Sequence, residues 1–198
     1  MHKKQVFLLH FAGGNCYSYR SLTEYISEDL EVYCLELPGR GKRIREGLLC
    51  DYVSAVSDYL NQIKSLRNNQ PYFIYGHSMG ALMGLSLTHQ LEMEEDAPER
   101  LIVTGSAGSK IGMNQNRYLL DDIAFKEELR LLGGLSKEIL DNSEIFDFFS
   151  PILRADFQIL ESKPIPSMLI ETDVVAIMGE NEKYVNHIDE WKTISKGK

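Results

Sequence analysis

Positive charge is scarce in this 198-residue chain: 21 lysines and arginines stand against 29 aspartates and glutamates, for a formal net charge of −8 and a pI near 5.2. Such a surface has no basic excess to offset phosphate charge, which argues against general nucleic-acid or anionic-membrane binding. Cysteine is scarcer still. Cys16, Cys34 and Cys50 are odd in number and match no zinc or CxxC spacing, so free thiols in a reducing compartment are expected, with packing as their role. Nowhere do the roughly 20 apolar residues of a membrane-crossing helix run together. The start, MHKKQVFLLHFAGG, imitates a signal peptide, but its apolar run is short, holds His10 and lacks a small-x-small cleavage site. The expected location is therefore the cytoplasm. Internal repeats, low-complexity tracts and linkers are also missing, and 43% hydrophobic residues suit one soluble domain with a single core.

What is present alternates. VFLLHF (6–11), VYCLEL (32–37), YFIY (72–75), LIVTGS (101–106) and VVAIM (174–178) read as buried strands, being short, β-branched or aromatic, and bounded by Gly or Pro. Helical spacing fills 17–29, 51–66 and 79–93, for example Val53, Val56, Tyr59, Leu60 and Ile63 behind an Asp51 cap. This pattern predicts an α/β fold, a parallel sheet with helices on both faces. Between 107 and 167 the alternation stops and consecutive helices are expected, with Ile145, Phe148, Phe149, Ile152, Leu153 and Phe157 on one apolar face and Pro151 kinking or dividing the last helix. Such an insertion is either a lid over a site or a packed subdomain.

Within PYFIYGHSMGALMG (71–84), Gly76-His77-Ser78-Met79-Gly80 follows a strand and opens a helix. That is the setting of a nucleophile elbow, in which a serine sits in a strained turn and its neighbours must be small. The helix start offers the Met79 N–H to a developing oxyanion. A second donor is expected from the loop after an earlier strand, and HFAGGN (10–15) supplies glycines there, with Ala12 N–H the best candidate and Phe11 its neighbour. The alternative for that loop is a plain glycine turn.

A triad acid should follow a late strand, and VVAIMGENEKYV offers Glu180 and Glu182, either of which could instead be a solvated charge. The base is harder to place. Of His2, His10, His77, His89 and His187 only His187 follows the acid loop, and it starts what looks like a surface helix.

At these residues the chain resembles the type II thioesterases, stand-alone editing hydrolases of nonribosomal peptide and polyketide synthases within the α/β-hydrolase superfamily. The likeness spans nearly the whole chain: HFAGGNCYSYR, ELPGRGKR (36–43), YGHSMGAL (75–82), LRLLGG (129–134), LRADFQILE (153–161) and MGENEKYV with EWK. It implies an α/β-hydrolase fold with a helical lid over about 110–162, Ser78 as nucleophile, Ala12 and Met79 as backbone oxyanion donors, and Glu182 at the position of the family's acid. The family's histidine lies in a Gly-x-His segment after a further strand, which these 198 residues do not contain, so a longer natural chain and a nearly inactive 198-residue form are expected. An uncovered edge beside 174–178 points the same way.

The resemblance further implies hydrolysis of acyl groups from the phosphopantetheine arms of acyl or peptidyl carrier proteins by a monomer that needs no cofactor or metal. Two other readings stay open: a catalytically dead carrier-binding homologue and a general carboxylesterase. Arg40, Lys42, Arg43 and Arg45 form the one local basic cluster, either a docking surface for an acidic carrier or a solvated loop.

Overall fold

A computed structural model describes residues 2–108 and 116–197, so the first residues of the expected insertion, 110–115, lie outside the described residues. Among the described residues five strands form one sheet: β1 (Lys4–Leu9), β2 (Leu30–Leu35), β3 (Tyr72–His77), β4 (Arg100–Thr104) and β5 (Asp173–Ile177). Their order is β2-β1-β3-β4-β5, and every pairing is parallel. The chain winds outward from β1 to β2, then returns and winds the other way through β3, β4 and β5. The direction reverses at the carboxyl ends of β1 and β3, the usual ligand position in open α/β sheets.

One sheet face carries the larger core. Phe7, Leu9, Ile74, Leu101 and Val103 pack there against α2 (Tyr52–Leu66) and α3 (Met79–Met93). Asp51 caps α2 as expected, its side chain accepting from Ser54 N–H at 3.0 Å. The buried face of α2 is Tyr52, Ala55, Val56, Tyr59 and Ile63, whereas Val53 is exposed, because 52, 56, 59 and 63 share a stripe that 53 does not. Residues 79–88 of α3 are buried on all sides.

The opposite sheet face is covered more thinly, by Tyr19, Leu22 and Ile26. Only Arg20–Thr23 (α1) of the expected helix 17–29 is α-helical. Tyr25 stands exposed, and Ser27 turns the chain with local bonds, its Oγ accepting from Asp29 N–H at 3.2 Å and its carbonyl from Leu30 N–H at 3.0 Å. Side chains that bond nearby backbone in this way compete with helix.

The insertion between β4 and β5 holds α4 (Asp122–Leu132), α5 (Lys137–Asp141) and α6 (Ser143–Glu161). Its own core is Phe125, Leu129, Leu140, Phe146, Leu153 and Phe157. Ile145 and Phe148, expected on the apolar face, are exposed; the face turns instead on Phe146, Leu153 and Phe157. Pro151 does not divide α6. The carbonyl that the proline leaves without its helical donor belongs to Asp147, an exposed residue where water can replace it.

Beyond β5, Val185–Thr193 forms a 3-10 helix rather than an α-helix, anchored by Trp191, whose Nε1 donates to Ser106 O at 2.8 Å. Among the described residues β5 pairs only with β4, and Val175 and Ile177 are exposed. Cys16 and Cys34 are partly buried and Cys50 is exposed, all as free thiols, so the packing role expected of Cys50 does not hold. Among the described residues no helix is long and apolar enough to cross a membrane.

Candidate functional site

The β1–β3 register sets Leu9 opposite Gly76, so the loop that follows β1 lies beside the turn that follows β3. Ser78 occupies that turn. It has φ 52 and ψ −110, a positive-φ conformation unusual for a non-glycine residue, and it is the N-cap of the 15-residue α3. Its N–H donates to Thr104 O at 2.8 Å, and its carbonyl accepts from Ala81 N–H at 3.0 Å. Among the described residues its Oγ has no hydrogen-bond partner.

The flanking glycines are dictated by space. A Cβ on Gly76 would run into the Gly80 carbonyl and sit 2.5 Å from Ala81 N. One on Gly80 would run into the Leu9 carbonyl and sit 2.9 Å from that of His10. The start of α3 therefore rests directly on the end of β1, which brings the helix N-terminus to the 10–14 loop. Met79, first residue of α3, has an N–H with no intrahelical acceptor.

The 10–14 loop is a tight turn closed by Gly14 N–H donating to Phe11 O at 2.8 Å, with Ala12 and Gly13 at its centre. Gly13 has φ +77, the conformation that glycine alone adopts freely. Ala12 N–H is left without an acceptor among the described residues. Two backbone donors without acceptors among the described residues thus lie on the loop after β1 and the turn after β3, which the strand register sets side by side.

Glu182 sits in the loop after β5, its Oε1 accepting from Gly179 N–H at 2.7 Å. Its charge reaches His77: burial lowers the pKa of that imidazole, and Glu182 works against the shift. Glu180 is exposed, with no hydrogen bond or ion pair among the described residues.

None of the five histidines is hydrogen-bonded to Ser78. His77 turns to β4, its Nδ1 2.8 Å from Thr104 Oγ1, and its ring meets Phe11 edge-on. His89 lies eleven residues along α3, about 16 Å down the helix axis. His2 is exposed, and His187 is exposed in the 3-10 helix.

His10 is fully buried, Nδ1 donating to Phe11 O at 2.9 Å and Nε2 accepting from Leu37 N–H at 3.3 Å, which requires the neutral ring. Burial first, then the Arg40 charge, lowers its pKa to about 4, against smaller opposing pulls from Asp156, Phe11 O and Glu36. The unfolded chain therefore binds a proton that the folded one refuses between about pH 6.5 and pH 4. Stability present above pH 6.5 is lost across that window, by up to about 3 kcal/mol. Urea midpoints should fall more steeply from pH 7 to pH 4.5 in the native protein than in a His10→Gln variant; parallel profiles would show that the ring accepts its proton in place.

Two of the four cations of the basic cluster are engaged within the fold. Arg40 is 2% exposed and paired bidentately with Asp156, at 2.6 and 2.8 Å. Arg43 is held by Asp58 at 2.6 and 3.0 Å and by Glu46 at 2.6 and 2.8 Å, and also donates to Glu36 O. Only Lys42 and Arg45 remain exposed. The Arg40–Asp156 pair joins residues 116 apart in the chain, and sequence reading missed it. One signal was available: Asp156 falls on the buried face of α6, between Leu153 and Phe157, where a carboxylate needs a cation.

A family model described as "Thioesterase domain" matches residues 4–196. The chain is 29% identical to the gramicidin S biosynthesis protein GrsT of Aneurinibacillus migulanus, over 98% of this chain and 77% of that one. It superposes on RedJ, a thioesterase from the prodiginine biosynthetic pathway in Streptomyces coelicolor, with TM-score 0.84 and 26% identity, covering 98% of this chain and 78% of that one. YbtT, a type II thioesterase from the yersiniabactin NRPS/PKS pathway, gives TM-score 0.86 and 25% identity, covering 99% and 82%.

Proposed function

The chain belongs to the thioesterase domain family, and from that premise we propose that it hydrolyses acyl groups from phosphopantetheine thioesters on carrier proteins of nonribosomal peptide or polyketide synthases. The observation that carries the proposal is the strained Ser78 at the head of α3, flanked by the unpaired N–H groups of Ala12 and Met79.

Ser78 Oγ attacks the thioester carbonyl as its proton passes to a base, forming a C–O bond and a tetrahedral oxyanion that accepts from Ala12 and Met79. The C–S bond then breaks and the pantetheine thiolate leaves. With a pKa of about 8.5, a thiol departs with less acid assistance than an alcohol. Water attacks the acyl-serine through the same oxyanion, releasing the carboxylic acid and restoring Ser78. No step draws on a cofactor, and among the described residues no cluster of His, Cys, Asp or Glu is placed to hold a metal ion.

Glu182, in the loop after β5, is the proposed acid that orients the base. None of the five histidines, as they lie, is that base: His77 bonds Thr104, His10 is buried on Phe11 O and Leu37 N–H, His89 lies far along α3, and His2 and His187 are exposed. The helices from α4 to α6 serve as a lid, and the protein acts as a cytoplasmic monomer.

The unassisted serine also supports a second reading, a carrier-binding homologue without turnover. Acyl-carrier, acyl-pantetheine and oxygen-ester substrates with one acyl chain, assayed with added imidazole, separate the readings. Preference for both thioesters is expected. Equal use of the oxygen ester would indicate a general esterase, and carrier binding without hydrolysis would indicate the second reading.

A further inference from the structure

We infer that Arg40 and Asp156 are a positioning pair through which α6 sets the oxyanion loop, so that the seat of the helical insertion decides where the Ala12 N–H points. The catalytic consequence rests on the function proposed above; the mechanical one does not.

Asp156 is fully buried, and its carboxylate serves two masters. It receives both Arg40 terminal nitrogens, and its Oδ2 also accepts from Gly13 N–H at 2.7 Å. Arg40 Nη1 reaches Gly14 O at 3.5 Å. The peptide unit that follows Ala12 is thus held by a helix 143 residues away in sequence, and the one that follows Gly14 by the turn after β2. Helix and loop also touch: a Cβ on Gly13 would lie 2.6 Å from Leu153 Cδ2. In a turn closed from Phe11 to Gly14, rotating the Gly13 peptide swings the Ala12 amide with it.

A second tie keeps Arg40 in place. Glu36 is buried, and its carboxylate accepts from Cys16 N–H at 2.8 Å and Lys42 N–H at 2.7 Å, binding the 14–16 segment to the Arg40 turn.

Stability alone does not account for the pair. Arg40 Nε and the nearby buried Tyr59 hydroxyl have no partners among the described residues, so the network is incompletely satisfied. Buried ion pairs are often no more stabilising than apolar residues of like volume. An apolar pair, however, cannot accept the Gly13 N–H.

The double variant Arg40→Met/Asp156→Leu removes both charges together and leaves neither alone in the core. Its thermal midpoint should stay near that of the native protein, while Gly13 and Gly14 amide exchange accelerates at least tenfold and Phe7 and Ile74 exchange does not. For an acyl-pantetheine thioester with added imidazole, kcat should drop about ten- to a hundredfold at unchanged KM. Native loop exchange in a folded double variant would overturn the inference. So would a fall in kcat without any change in loop exchange. If the double variant does not fold, the native Gly13 amide decides: exchange as slow as the β1 amides supports the tie to Asp156, and exchange as fast as the amide of exposed Gly47 refutes it. Absence of thioester hydrolysis by the native protein would overturn the proposed function and leave the exchange result standing.

Discussion

Replacing Ser78 by alanine is expected to erase the imidazole-dependent part of thioester turnover and to change little else. Members of a catalytic triad act as a unit, and losing one costs nearly as much as losing all. With no histidine bonded to Ser78 Oγ among the described residues, native protein and Ser78→Ala should hydrolyse acyl-pantetheine within about tenfold of each other in plain buffer. Added imidazole supplies the proton acceptor. General-base assistance is worth roughly 10² to 10⁴ in rate, so the native protein should accelerate by at least a hundredfold and the variant should not. The acceleration should follow the neutral form of the added base, rising as pH passes about 6.5. Fast turnover without imidazole, lost in Ser78→Ala, would mean that one of the histidines moves to the serine in solution.

The second large effect concerns folding. Gly80→Ala places a methyl group into the carbonyls of Leu9 and His10, which are backbone atoms at the end of a central strand and cannot turn aside. A loss of about 3 kcal/mol or more is expected, enough to unfold a marginal domain. The other glycines calibrate it. Gly84→Ala meets chiefly the Leu101 Cδ1 methyl at 2.9 Å, a side-chain atom that can shift, and should lose less. Gly47→Ala has nothing within 4 Å and should stay within about 0.5 kcal/mol of the native protein in urea unfolding. Equal midpoints for Gly80→Ala and Gly47→Ala would mean that α3 is not seated on β1.

Particular residues show what the sequence could reveal. Strands were readable because buried parallel strands are short apolar runs; YFIY marked β3, which extends through Gly76 and His77. The elbow was readable because its glycines, serine and helix start are adjacent in the chain. Faces were harder. Val53 and Val56 are equally apolar, and the stripe that buries one and exposes the other is chosen by what packs above, not by composition. Phe148 and Phe146 pose the same ambiguity. Charge partners were hidden by distance: GRGKRIRE reads as a free basic cluster until the fold brings Asp156 to Arg40 and Asp58 to Arg43. The motifs LPGRG and LRADF were recognised as a family likeness, and only the fold shows that they hold two halves of one ion pair.

The central claim is that acyl groups pass through Ser78. The most direct measurement is peptide mass mapping after rapid quenching of the native protein with a medium-chain acyl-pantetheine thioester and imidazole. An added acyl mass on the peptide carrying Ser78, absent from Ser78→Ala, is the expected result. Acylation elsewhere, or hydrolysis that continues undiminished in Ser78→Ala, would contradict it.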